Sequence, residues 1–124
     1  MPATVHGVGG IFFRSKNPAA LRDWYGKHLG IKANGDGGAF FTPDTMPKGG
    51  GTVWAPFPPS TKYFGESGQQ FMINLIVDDV RQALDQVRQG GATVIEKVDE
   101  YDYGIFGWFV DPDGNRVELW QPKG

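Results

Sequence analysis

The sequence predicts an α+β domain in which one βαβββ unit is written twice. Two observations carry that prediction. An apolar strand, a polar cap, an amphipathic helix and a terminating Gly recur in the same order in both halves, and each helix is followed by short β-branched and aromatic runs. Laying one half on the other puts Gly10 on Met72 and Asn17 on Asp79. A chain of 124 residues supports one core and not two independent ones. Residues 1–124 therefore read as a single domain, with the first unit over about 4–57, the second over about 69–121, and a connecting loop over about 43–68.

The first unit opens with the apolar run Gly10-Ile11-Phe12-Phe13 and turns through Ser15-Lys16-Asn17-Pro18. Asn17 is a helix cap and Pro18 suits the first helical position, where its missing N–H costs nothing. Leu21, Trp24, Tyr25, His28 and Leu29 then fall on one helical face before Gly30 ends the helix. Strand-like pieces follow at Ala39–Thr42 and Thr52–Ala55.

The loop from Pro43 to Gly68 contains Pro47-Lys48-Gly49-Gly50-Gly51 and Pro56-Phe57-Pro58-Pro59, which exclude a helix and the middle of a sheet. Its rings Trp54, Phe57, Tyr63 and Phe64 are suited to covering a ligand or a partner subunit, or equally to closing the open end of the core.

In the second unit Phe71–Val77 reads as a strand, Asp78-Asp79 as the turn and cap, and Val80, Ala83, Leu84 and Val87 as the buried helix face before Gly90-Gly91. Three further strands follow over Thr93–Val98, Ile105–Val110 and Arg116–Trp120. The last two are joined by Asp111-Pro112-Asp113-Gly114-Asn115, where Pro presets φ and Gly or Asn accepts φ > 0.

Twelve basic against fourteen acidic residues give a formal charge of -2, which provides neither a nucleic-acid footprint nor a polybasic membrane patch. The aromatic content of 14%, with four Trp, four Tyr and nine Phe, points instead to a ring-lined pocket for a small molecule. The chain has no Cys, which excludes disulfides, thiolate metal sites and Cys nucleophiles and fits a cytoplasmic setting. No basic segment precedes an apolar run at the N-terminus and nowhere do about 18 apolar residues follow one another, so neither export nor a membrane span is expected.

One residue breaks the pattern. Glu118 is a carboxylate inside an otherwise apolar strand, and such a charge must be paired, bound to a metal or placed in a wet cleft. Strand parity puts Trp120 on its face, with Phe106 and Trp108 opposite on the neighbouring strand. Asn74 is a second polar intruder, sharing the face of Met72. Tyr101 and Tyr103 lie in an acidic and aromatic lip, Glu96 to Tyr103, that disfavours anions at that mouth. Glu118 is thus the candidate catalytic or anchoring residue. The candidate ligand-binding residues are Asn74, Trp54, Tyr63, Tyr101, Tyr103, Phe106, Trp108 and Trp120.

The runs Trp24-Tyr25-Gly26-Lys27-His28-Leu29-Gly30, Val77-Asp78-Asp79-Val80 and Asp111 to Leu119, with the duplicated plan, resemble the vicinal oxygen chelate superfamily. That group includes glyoxalase I, bleomycin resistance proteins, fosfomycin resistance enzymes and extradiol dioxygenases. Thr52-Val53-Trp54 and Tyr63-Phe64-Gly65 look like a bacterial glyoxalase-like branch of it. The resemblance implies a curved, cup-like mixed sheet formed by the two βαβββ modules, and a homodimer.

It also implies, in metal-dependent members, one divalent ion held by four side chains. The matching positions here are Gly10, Met72, a position within Thr52–Ala55, and Glu118. Only Glu118 is filled: Gly has no side chain and a thioether is a poor ligand for the ions this fold uses. One carboxylate does not hold a catalytic metal, and His6 and His28 read as a strand-start and a helix-end residue. No metal or other cofactor is therefore expected.

Without a metal, Glu118 can accept hydrogen bonds from a polar or cationic ligand, act as a general base, or pair with an internal group such as Arg14. The expectation is a glyoxalase-like protein with a small-molecule pocket centred on Glu118, which binds an unknown molecule or performs metal-independent chemistry. The resemblance offers two alternatives. One is a nickel-, zinc-, manganese- or iron-dependent lyase or isomerase of the lactoylglutathione lyase type, or a dioxygenase; the other is an antibiotic-sequestering resistance protein.

Overall fold

Five strands and two α-helices carry the regular structure of the computed structural model, which describes residues 2–3 and 5–124. Thr4, the opening bound of the first unit, lies outside the described residues. The elements are α1 (Pro18–Leu29), β1 (Asn74–Ile76), α2 (Val80–Gln89), β2 (Thr93–Val94), β3 (Asp99–Tyr101), β4 (Gly104–Val110) and β5 (Arg116–Pro122), with a short 3-10 turn at Pro43–Thr45.

Both helices begin as their sequences predict. The Asn17 side chain accepts from the Ala20 N–H at 3.2 Å with Pro18 at the first position, and the Asp79 side chain accepts from the Gln82 N–H at 3.0 Å. Gly30 ends α1 at φ 70°, and its N–H returns to the Tyr25 carbonyl, a left-handed cap that only Gly adopts without strain. After α2 the positive φ falls on Gly91 rather than Gly90.

The sheet is mixed and open, in the order β1-β5-β4-β2, with β3 also paired to β4. Strand β1 runs parallel to β5, and the remaining pairs are antiparallel. The second unit is thus the βαβββ arrangement, with one correction. The strand predicted over Thr93–Val98 is shortened to Thr93–Val94, because the Lys97 N–H turns back to the Ile95 carbonyl at 2.8 Å and leaves the ladder, and β3 at Asp99–Tyr101 is a strand the sequence reading does not predict.

A larger correction concerns the first unit. Gly10–Phe13, Ala39–Thr42 and Thr52–Ala55 form no strand pairing among the described residues, and α1 is the unit's one α-helix or strand. Phe12 is 93% exposed and Phe40 and Trp54 are each 79% exposed. The class is α+β, as predicted; the sheet is built by the second half. The alternating pattern of such runs asks for a sheet without specifying which edge they join, and short strands that join none are only marginally stable.

The core lies between α2 and one face of β4 and β5. Val80, Ala83, Leu84 and Val87 meet Ile105, Phe109, Val117 and Leu119, all buried. Gly107 permits this approach, since a Cβ there would lie 2.8 Å from Leu84 Cδ1 and 3.0 Å from Val80 Cγ1. Helix α1 is fastened beside α2 by polar contacts: Trp24 Nε1 donates to the Gly90 carbonyl and Gln86 Nε2 to the His28 carbonyl, each at 2.8 Å.

The hairpin turn contains a second buried carboxylate. Asp111 Oδ1 accepts from the N–H groups of Asp113 (3.0 Å) and Asn115 (2.9 Å), and Oδ2 accepts from the Tyr25 hydroxyl at 2.9 Å. The turn thereby fixes its own backbone and ties α1 to the β4–β5 hairpin. Burial, followed by the neighbouring Asp111 charge, holds the Tyr25 phenol well above the ordinary tyrosine range.

Candidate functional site

Alternation along β4 and β5 sends the core residues to α2 and leaves Phe106, Trp108, Glu118 and Trp120 on the opposite face. The register sets Trp108 beside Glu118 and Phe106 beside Trp120, and on the other side sets Asn74 beside Glu118. Neighbouring strands thus bring the polar intruders Asn74 and Glu118 together. Glu118 is 7% exposed.

Three neutral donors hold it. Asn74 Nδ2 donates to Oε1 at 2.7 Å, while Trp108 Nε1 at 3.0 Å and the Tyr63 hydroxyl both donate to Oε2. Tyr63 arrives from the Pro- and Gly-rich loop, packed edge-on against Trp108 at 6.0 Å between centroids and stacked on Phe57 at 5.6 Å. Phe64 packs on Phe57 as well, so this loop forms an aromatic cover over the carboxylate. Burial and then the hydrogen bond to Glu118 push the Tyr63 phenol above its ordinary range, keeping it a donor at neutral pH.

The internal pairing of Glu118 with Arg14 is not made; Arg14 lines a separate cleft with Arg116. Arg116 is a site neighbour that the sequence reading misses. Its signal is parity, because residues two apart on a strand share a face and 116 precedes 118 by two. Its guanidinium carbon lies 5.9 Å from the Trp108 ring centre, as does Lys97 Nζ.

The other candidates form a second group. Tyr101 and Tyr103 stack at 5.3 Å, both pack on Phe106, and Phe106 stacks on Trp120 at 6.0 Å, giving a continuous aromatic strip beside the carboxylate. The Trp120 Nε1–H is buried against Gly104 and has no acceptor among the described residues. Trp54 joins neither group and is largely exposed.

No His and no second carboxylate hydrogen-bonds to Glu118 among the described residues. Its nearest polar neighbours are an indole N–H, a phenol and an amide nitrogen, which donate to the carboxylate rather than share a cation with it. No three of His, Cys, Asp and Glu come together as a ligand set among the described residues.

The family model of a glyoxalase-like domain matches residues 10–120. Among solved structures, the chain is similar to TnmS3, an antibiotic-binding protein from Streptomyces sp. CB03234. The TM-score is 0.59 at 20% identity, over 98% of this chain and 100% of that one. It is also similar to a protein of unknown function from Agrobacterium tumefaciens str. C58 (TM-score 0.54, 16% identity, 90% and 94% covered). TioX from Micromonospora sp. ML1 is a third (TM-score 0.50, 14% identity, 86% and 91% covered). At these identities the likeness is one of fold. No curated protein sequence matches.

Proposed function

The chain belongs to the glyoxalase-like domain family of the vicinal oxygen chelate superfamily, and from that premise we propose that it is a metal-independent small-molecule-binding protein anchored on Glu118. The observation that carries this reading is the buried carboxylate held by three neutral donors under an aromatic cover. A buried charge of this kind lacks a cation. A ligand that presents an ammonium on an apolar or aromatic body supplies one by displacing Tyr63. The aromatic strip of Phe106, Trp120, Tyr101 and Tyr103 offers the surface on which the ligand's body lies.

We favour sequestration over turnover, with Glu118 acting as an acceptor of hydrogen bonds from the ligand as it does from its present donors. That TnmS3 is an antibiotic-binding protein on this fold supports the reading. The metal-dependent lyase, isomerase and dioxygenase alternatives find no ligand set among the described residues.

The expected partner beyond the ligand is a second copy of the chain. The unpaired runs of the first unit expose Phe12, Phe40, Phe41, Val53 and Trp54, rings and branched side chains patterned for burial in a sheet. No helix among the described residues is long and apolar enough to cross a membrane, and the Cys-free composition fits a cytoplasmic protein.

Calorimetric titration with 2-phenylethylamine, an aromatic amine, tests the anchor. Saturable binding is expected, with the amine recovered unchanged and affinity falling about tenfold or more in Glu118→Gln. Affinity indifferent to that substitution, or one tightly held nickel or zinc ion per chain lost with it, overturns the reading.

A further inference from the structure

A cleft opens where β5 begins, beside the chain that leads into β1. Its walls include Phe13, Arg14, Gln70, Phe71, Asn115 and Arg116. Two arginines therefore line one cleft in a protein of formal charge -2, and among the described residues neither makes a salt bridge. The ion pairs of the described residues lie elsewhere, on Arg81, Arg88, Lys97 and Lys123 and their acids.

Arg116 carries the stronger signal. Its Nε–H is shut away from water and has no acceptor among the described residues. A buried donor on a charged group left unpaired is costly, so the position is held at a loss unless something supplies the acceptor. The backbone on both sides is fixed: the Gln69 side chain accepts from the Arg116 N–H at 2.9 Å and donates to its carbonyl at 3.0 Å. The guanidinium also rests near Trp108 and against Gly65, where a Cβ would meet Arg116 Cδ at 2.9 Å. The side chain is thus held in place.

We infer that this cleft binds an oxyanion, a carboxylate or phosphate group, between Arg14 and Arg116. A planar guanidinium fork matches two oxygens of either group, and Gln70 and Asn115 supply amides at the rim. The cleft also deepens the proposed binding function, and its link to Glu118 rests on that proposal. Arg116 and Glu118 are two residues apart on one strand face, about 7 Å along it, and both lie beside Trp108. A ligand spanning them carries a cationic or donor end for Glu118 and an oxyanion end for the arginines.

The probes are inorganic phosphate and acetate, titrated separately at low ionic strength with Trp fluorescence as the readout and chloride at matched ionic strength as reference. At least one is expected to bind saturably, and the stronger of the two tells phosphate from carboxylate. Arg116→Gln and Arg14→Ala are each expected to weaken that binding about tenfold or more. Arg14 is exposed, so its variant folds normally even if Arg116→Gln does not. Lys27→Ala, an exposed charge removed on α1, is expected to bind as the unaltered chain does. Binding of neither anion above the chloride reference overturns the inference, as does equal binding by Arg14→Ala and the unaltered chain. Phosphate binding without 2-phenylethylamine binding would instead sink the Glu118 anchor and leave the cleft standing.

Discussion

Two tyrosines donate to buried carboxylates in this molecule, and both are held above the ordinary tyrosine range chiefly by burial. The consequence for stability has a definite sign. Near pH 10 the unfolded chain releases its tyrosine protons while folded Tyr25 and Tyr63 keep theirs, so the folded state binds more protons and stability falls as pH rises further. Below that range the contribution is fully present. Thermal unfolding is therefore expected to show a plateau at neutral pH and a decline beginning at about pH 10. Tyr25→Phe is expected to flatten the decline while lowering neutral-pH stability by about 1 kcal/mol through the lost bond to Asp111. An alkaline limb as steep in Tyr25→Phe as in the unaltered chain would refute the assignment. Of the residues singled out in the sequence, Glu118, Asn74 and Trp108 meet because strand alternation and register are short-range rules. Tyr63 reaches the same carboxylate from 55 positions away through an irregular loop, where no periodicity specifies the landing point.

At the scale of elements, the loop bearing Tyr63 and the helix α2 make separate demands. Under the proposed function, Tyr63 competes with a ligand for Glu118, so removing its hydroxyl takes away the competitor. Tyr63→Phe is expected to tighten 2-phenylethylamine binding by roughly two- to tenfold, the equivalent of one ordinary hydrogen bond. Weaker binding in that variant would make Tyr63 part of the ligand site rather than its cover. Helix α2 instead needs Gly107 to be small. Gly107→Ala is expected to lower unfolding free energy by about 1–3 kcal/mol in denaturant titrations, because the added methyl collides with Leu84 and with fully buried Val80. Unchanged stability there would show that the helix can shift outward without loss. The second unit was legible in sequence because caps, the 3,4-spaced apolar face of α2 and the β4–β5 turn are local signals that tertiary packing here reinforces. The early end of β2 was not, since it depends on one backbone N–H leaving the ladder at Lys97. Nor was the fate of the first unit's strands, whose pattern states that they want a sheet and not where its edge is.

The whole molecule is lopsided: a well-packed half around α2, β4 and β5, and a half whose apolar runs face outward. Exposed Phe12, Phe40, Phe41, Val53 and Trp54 come from three stretches far apart in sequence, and each stretch alternates or clusters as a strand would. Single exposed hydrophobes need no explanation, but three such runs in one small chain amount to surface that water disfavours. The open sheet has the complementary need, because its edge strands β1, β2 and β3 are only two or three residues long and leave backbone groups beside them unpaired. In the homodimer we propose, a second copy would meet both needs at once, its first-unit runs adding to this chain's sheet and the reverse by two-fold symmetry. Light scattering on a sizing column at micromolar concentration is accordingly expected to give twice the 13.6 kDa chain mass. The double substitution Phe12→Ser with Trp54→Ser, both at exposed positions, is expected to shift the mass toward a single chain while α2 and its core remain folded by far-UV dichroism. A single-chain mass for the unaltered protein would mean that these runs are covered from within. In that event the phenylethylamine and anion titrations still read the Glu118 and Arg116 sites, whose named contacts all lie within one chain.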